Sequence, residues 1–392
     1  MSLKFLWFLP TYGDSRYIVG GGHGLPAGTA RGSRPASIAY LGQIARSAEQ
    51  LGYLGALTPT GAWCEDPFIT DAMLASVTET FKFLVALRPG LISPTLAAQM
   101  ASTFQRNSGG RLLVNIVVGG EPIEQRAYGD FSDKSERYER TDEFLQIVRA
   151  LWERPDVNFR GRFYQVENAT LPSRPEVIPP LYIGGSSAGA GPVTARHIDT
   201  YLTWGEPTPA VAEKIAWIRG LAAKEGRQVR FGIRLHVITR DTAEAAWAEA
   251  NRLLSAIDPA TIQKVQGGLA RSEGEGQKRM LSLHGGSTAN LEIEPNLWAG
   301  FGLVRGGAGT ALVGSHTEIA AKIKTYAALG IEEFVLSGVP HLEEAYWFAE
   351  GVLPLLQKEG LWTHPRGTPS SLSLPNEIPF SATTSRKLVS AD

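Results

Sequence analysis

Two hydrophobic periodicities alternate along this chain. Short runs that are apolar throughout, or at every second position, predict strands; stretches with apolar residues three and four apart predict helices. Phe5–Leu9, stopped by Pro10, reads as the first strand, and Ile38–Leu51, closed by Gly52, as the first helix. Further strands are expected at Gly55–Thr58, Phe81–Leu87, Arg111–Val118, Leu181–Ile183, Thr200–Thr203, Arg230–Ile238 and Glu333–Leu336. Helices are expected over Pro67–Val77, Ser93–Ser108, Arg137–Trp152, Pro209–Glu225, Ala243–Ile257 and Leu342–Leu356, and a small hairpin over Val157–Val166. Eight strands alternating with helices predict a parallel (β/α)8 TIM barrel. A doubly wound open sheet is the runner-up, but no glycine-rich fingerprint follows the first strand.

Three stretches depart from this regularity. A long glycine-rich loop, roughly Tyr12 to Pro35, follows the first strand, and loops of this length are functional or disordered. An insertion over about residues 258–314 separates the seventh and eighth strands; it holds an expected helix at Ile262–Arg279 and the glycine-dense run Leu303–Ala311 around Arg305. That composition predicts a mobile lid. One domain is expected over residues 1–357, with a Pro/Ser/Thr-rich tail over 358–392.

Composition narrows the class. The chain has 392 residues, 43% hydrophobic and 20% charged, with a net charge of −1, so nothing favours nucleic acid or an anionic membrane. No apolar run approaches the roughly 18 residues of a transmembrane span. No signal peptide is evident, and Cys64 is the one cysteine, which fits the cytoplasm.

The Arg230–Ile238 strand carries the first chemical signal. Phe231, Ile233, Leu235 and Val237 share one face; Arg230, Gly232, Arg234 and His236 share the other. Flanking helices imply a sheet buried on both faces, where a charge needs a partner carboxylate or a bound anion. In a TIM barrel the chemistry sits at the C-terminal strand ends. Thr11, Tyr12, Thr60, Trp63, Cys64, Asn115, Trp204 and His341 fall there, with Arg234 and His236. Gly184-Gly185-Ser186-Ser187, after the fifth strand, is a candidate phosphate cradle, with a plain turn and serine N-cap as the competing reading. Tyr138 could donate to the same phosphate or simply pack. No HExxH and no His/Cys/Asp/Glu cluster suggests a metal, and Cys64 lacks a nucleophile's surroundings. His197, His284, His316 and His364 read as surface or core residues. An anionic substrate beside a phosphorylated aromatic cofactor fits what remains.

Longer runs carry a resemblance. Phe8-Leu9-Pro10-Thr11, Cys64-Glu65-Asp66, Leu202-Thr203-Trp204-Gly205-Glu206-Pro207, Phe231 to Ile238, Pro295 to Gly300, Leu303 to Gly314 and Pro340 to Tyr346 resemble the FMNH2-dependent alkanesulfonate monooxygenases, within the bacterial-luciferase-like flavin monooxygenases. The resemblance runs from about residue 3 to 357. It implies a TIM-barrel subunit in a homotetramer or homodimer, using O2 and reduced FMN from an NAD(P)H-dependent FMN reductase. It implies oxygenation of the sulfur-bearing carbon of an organosulfonate, releasing sulfite and an aldehyde. Carried over, Arg234, His236, Arg305, His341, Trp204 and Cys64 take active-site positions. Ser186, Ser187 and Tyr138 take the flavin-phosphate side, and Gly185 and Asn115 join them as cofactor-side candidates. Two departures stand out: Tyr12 replaces a His of the aliphatic enzymes, and Val339 replaces a Tyr, removing a pocket hydroxyl. The first loop is also longer by roughly Tyr17–Arg31, so a sulfosugar such as sulfoquinovose is an alternative substrate. A different luciferase-like flavin oxidation, a deazaflavin-dependent reductase and a binding barrel without turnover stay open beside these.

Overall fold

The structure is a computed structural model, and it describes residues 2–19 and 32–367. Its frame is eight parallel strands: β1 (Lys4–Phe8), β2 (Gly55–Thr58), β3 (Lys82–Leu87), β4 (Leu112–Ile116), β5 (Leu181–Gly184), β6 (Thr200–Trp204), β7 (Arg230–Arg240) and β8 (Ile331–Ser337). Each pairs with the next, and β8 returns to β1 through Lys4–Glu333, Phe5–Phe334 and Leu6–Val335. That last pairing closes the barrel and rules out the open sheet.

Local sequence sets the helix starts. Ser37, Asp66 and Ser93 each cap a following helix, their side chains accepting from Tyr40, Ile69 and Leu96 N–H. Gly52 ends the first helix at φ 92°, a left-handed conformation that a Cβ would strain. Leu6, Leu84, Leu113, Tyr182, Leu202 and Val335 fill the barrel interior. The opposite strand faces pack on the helices in one continuous core. At the N-terminal end of the barrel Glu333 accepts from Lys4 Nζ at 3.2 Å and Tyr182 OH at 2.9 Å.

β7 is the longest strand and has three neighbours. Its first half pairs with β6, Thr200–Trp204 opposite Arg230–Arg234. β8 runs along its other edge from Phe231 to His236. Beyond the end of β6, His236–Arg240 pairs in parallel with a further strand, Ala311–Ser315. Antiparallel Leu297–Trp298 and Glu292–Glu294 extend that patch.

The insertion differs from expectation. The single helix expected at Ile262–Arg279 is two helices, Pro259–Leu269 and Glu275–Ser282, broken by a turn. Asp258 caps the first, and Ala270–Gly274 forms the break, where Glu273 N–H donates to Gly120 O at 3.0 Å. Ala311–Ser315 and the helix His316–Ala328 were not expected; Ser315 and Glu318 form a capping box between them. The Leu303–Ala311 run expected to be a mobile lid is buried but for the half-buried Ala308, and its Arg305–Ala308 part walls the cavity described below. The start of the expected tail packs on the barrel: Leu361 O accepts from Leu3 N–H at 2.8 Å, and Trp362 is buried in the core. Most of the longer first-loop stretch and the rest of the tail lie outside the described residues.

Candidate active site

A cavity of about 240 Å3 opens at the C-terminal ends of the strands. Phe8, Asn115, Trp204, Arg234 and His236 reach it from barrel strands, Trp63, Tyr138 and Gly185–Ser187 from the loops and helices after them, and Gly276, Gln277 and Arg305–Ala308 from the insertion. Expected site residues from distant parts of the chain thus meet at one place.

One end is cationic. The inward parity of β7 places Gly232, Arg234 and His236 inside, while Phe231, Ile233, Leu235 and Val237 pack outward. Arg234 and Arg305 are both buried, and neither has a carboxylate partner among the described residues. Arg234 donates to Ser337 Oγ at 2.8 Å and to the Leu235 carbonyl, and lies 4.8 Å from the Phe8 ring. Arg305 lies 4.8 Å from the Tyr12 ring, with a buried Nε that has no partner. Burial and the neighbouring Arg305 push Arg234 down to about 9, which leaves it charged at neutral pH. A carboxylate pairing for Arg234 and His236 is therefore not found; they face hydroxyls, carbonyls and open cavity.

His236 is fully enclosed. Its Nδ1 is 2.7 Å from Ser337 Oγ, its Nε2 is 3.1 Å from Ala308 O, and its ring stacks on Phe301 at 4.1 Å. Burial, then Arg234 and Arg305, hold it well below the ordinary imidazole range, so it is neutral.

The other end has the features of a phosphate cradle. Gly185 has φ 145°, and a Cβ there would lie 3.2 Å from Ala190 Cβ and 3.3 Å from Tyr138 OH. Ser187 Oγ donates to Tyr138 OH at 2.7 Å, and Tyr201 OH donates to Gly185 O at 2.6 Å. The helix Ala190–His197 has Gly189 at its N-cap with no side-chain cap bond, so serine capping does not explain this turn. Between the ends, Asn115 Oδ1 is buried without a partner. Trp204 packs against Gly276, where a Cβ would come within 3.0 Å of the ring.

Two expected site residues stand behind this wall. Cys64 Sγ points at the carbonyls of Pro59 and Gly61, and burial pushes its thiol up to about 12. It is protonated, stands behind the lining residues against Phe8, Tyr12 and Trp63, and is no nucleophile. His341 does not line the cavity; its ring sits 5.8 Å from Phe8 and 6.4 Å from Tyr12. Its Nδ1 is 3.0 Å from Asp14 Oδ1, and its backbone N–H donates to Asp14 Oδ2 at 2.8 Å. Tyr12 is buried between Trp63 and Arg305, while Val339 joins an apolar cluster with Phe301.

Sequence reasoning missed Ser337, Asp14 and Gln277, whose Oε1 accepts from Gly307 N–H at 2.9 Å. Ser337 was within reach: it shares the inward parity of Glu333 and Val335 and ends its strand on the cavity side. Asp14 carried no local signal, because its partners Tyr40 and His341 are distant in the chain.

Comparison with known proteins agrees with the geometry. DmoA from Hyphomicrobium sulfonivorans has a TM-score of 0.74 at 19% identity, covering 92% of this chain and 90% of that one. A riboflavin lyase, RcaE, solved with modified FMN and riboflavin, has a TM-score of 0.76 at 20% identity over 94% of both chains. A long-chain alkane monooxygenase, LadA, has 0.73 at 17% over 92% of both. At these identities the likeness is one of fold. The family description of a luciferase-like monooxygenase matches residues 3–333, from β1 into β8 and across every cavity-lining segment, and the chain belongs to that family.

Proposed function

We propose that this protein is a two-component monooxygenase that takes reduced FMN and O2 and releases sulfite from an organosulfonate. The observation that carries this reading is the pair of buried guanidiniums, Arg234 and Arg305, with no carboxylate among the described residues to neutralise them. A sulfonate is a permanent monoanion whose oxygens match the guanidinium fork, so its recognition calls for arginine.

The residues present fit a flavin mononucleotide. The Gly184–Ser187 turn and Tyr138 would hold its phosphate, and the orphaned Asn115 Oδ1 could accept from a ring N–H. Bound there, reduced FMN with O2 supplies the oxidising equivalents, and the products balance as aldehyde, bisulfite, water and oxidised FMN. The chain's own residues do the rest. Arg234 and Arg305 hold the anion, Trp204, Trp63 and Phe8 enclose its organic part, and the Arg305–Ala308 wall keeps water out. A separate NAD(P)H-dependent FMN reductase supplies the reduced cofactor, and the enzyme works as a homo-oligomer in the cytoplasm.

The test is sulfite release. Enzyme, FMN, a flavin reductase, NADH and O2 are mixed with methane-, octane- and aromatic sulfonates, taurine and sulfoquinovose. Sulfite from one member establishes reaction and substrate class together. Sulfoquinovose as the sole active member assigns a sulfosugar enzyme. Absence of sulfite from all members, with reduced FMN still bound, overturns the desulfonation reading.

A further inference from the structure

Ser337 is the last residue of β8 and is fully buried. Its hydroxyl lies between two groups that face the cavity: Arg234 Nη2 at 2.8 Å and His236 Nδ1 at 2.7 Å. A guanidinium has only donors, so Ser337 Oγ must accept from Arg234. The one hydroxyl proton is then free to point at His236 Nδ1, and the other ring nitrogen decides whether it does. A neutral imidazole that accepts at Nδ1 carries its proton on Nε2, and Nε2 lies 3.1 Å from Ala308 O, which can only accept. The bonds therefore run one way: Arg234 to Ser337 to His236 to the Ala308 carbonyl. The chain ends in the Arg305–Ala308 segment that brings the second cation to the cavity.

We propose that Ser337 is a positioning residue that fixes Arg234 and, through the Nε2-protonated tautomer of His236, the segment bearing Arg305, so that both guanidiniums meet one anionic group. The anion's identity as a sulfonate rests on the desulfonation reading; the directed chain does not. Both ring nitrogens of His236 are engaged, which makes it a brace and leaves it no free lone pair for proton abstraction. Removing the hydroxyl strands a buried guanidinium N–H and a buried ring nitrogen together, the costly way to break a hydrogen bond. The substitution Ser337→Thr keeps that hydroxyl.

Two measurements test this. The first needs no variant beyond an assignment control: in protein labelled with 15N-histidine, the His236 resonances, assigned by their loss in His236→Gln, show the proton on Nε2 and Nδ1 as acceptor. A proton on Nδ1 overturns the proposal. The second is octanesulfonate binding without flavin, read by quenching of Trp204 and Trp63. Ser337→Ala weakens it about tenfold or more, the scale of one hydrogen bond to a charged group. Ser337→Thr recovers most of the affinity. Ser337→Ala binding as wild type does overturns the proposal. Absence of octanesulfonate binding to wild type counts against alkanesulfonate as the ligand, and the His236 tautomer then decides the proposal alone.

Discussion

Asp14 and Arg234 are both buried charges, but their surroundings differ. Asp14 is satisfied: Tyr40 OH donates to it at 2.6 Å, and His341 approaches through its ring at 3.0 Å and its backbone N–H at 2.8 Å. Burial alone would raise its carboxyl, but these partners outweigh it and hold the group at about 2. A carboxyl lowered in the folded state stabilises above its ordinary pKa near 3.8 and loses that contribution as pH falls toward 2. Urea unfolding at pH 3 and pH 7 will show Asp14→Asn costing on the order of 2 kcal/mol at pH 7 and less at pH 3. Arg234 has no such partner, and Arg234→Ala should cost about 2–5 kcal/mol of sulfonate affinity in the same quenching titration. Arg234 was legible because its alternation with apolar neighbours fixes which way it points. Asp14 was not, because only folding brings residues 14, 40 and 341 together.

Among the elements, the strands were the most legible. The expected Gly55–Thr58 strand and Ile38–Leu51 helix have the observed bounds. Their apolar periods are unbroken, and turn or cap residues mark their ends. The insertion was read less well. Its helices are short, and Gly267, Gly268 and Gly274 interrupt their pattern. The strand Ala311–Ser315 has only Leu312 and Val313 as large apolar residues, too few to show a period. The turn after β5 reads from the sequence as a candidate cradle, and a glycine pair alone could not exclude capping. Its test is Gly185→Ala: with φ at 145° and Ala190 Cβ 3.2 Å away, an added methyl strains the turn. Titration of flavin fluorescence should show FMN bound roughly tenfold or more weakly, a cost of about 1–3 kcal/mol in strain. Unchanged affinity would move the phosphate elsewhere.

At the scale of the whole molecule, several large apolar side chains among the described residues are exposed. Ile69 and Met73 sit one turn apart after β2, Leu96 follows β3, and Ile123 and Phe131 follow β4, all well exposed. These residues belong to consecutive units around the barrel, and exposed apolar groups on neighbouring units are candidates for a contact surface. A second copy is the expected occupant. Light scattering should find a dimer or larger assembly in wild type and a smaller species in Ile69→Glu/Phe131→Glu. A monomeric wild type would assign these residues to another partner. The barrel also bears on how such a protein can vary over time. From Phe231 to Arg234 β7 is paired on both edges, and its side chains alternate between cavity and core. Adding or deleting one codon between Phe231 and Arg234 would turn Leu235 and Val237 toward the cavity and bury the arginine among the helices. Substrate range in a lineage built on this chain can drift through loop length, but β7 admits change only one residue for one.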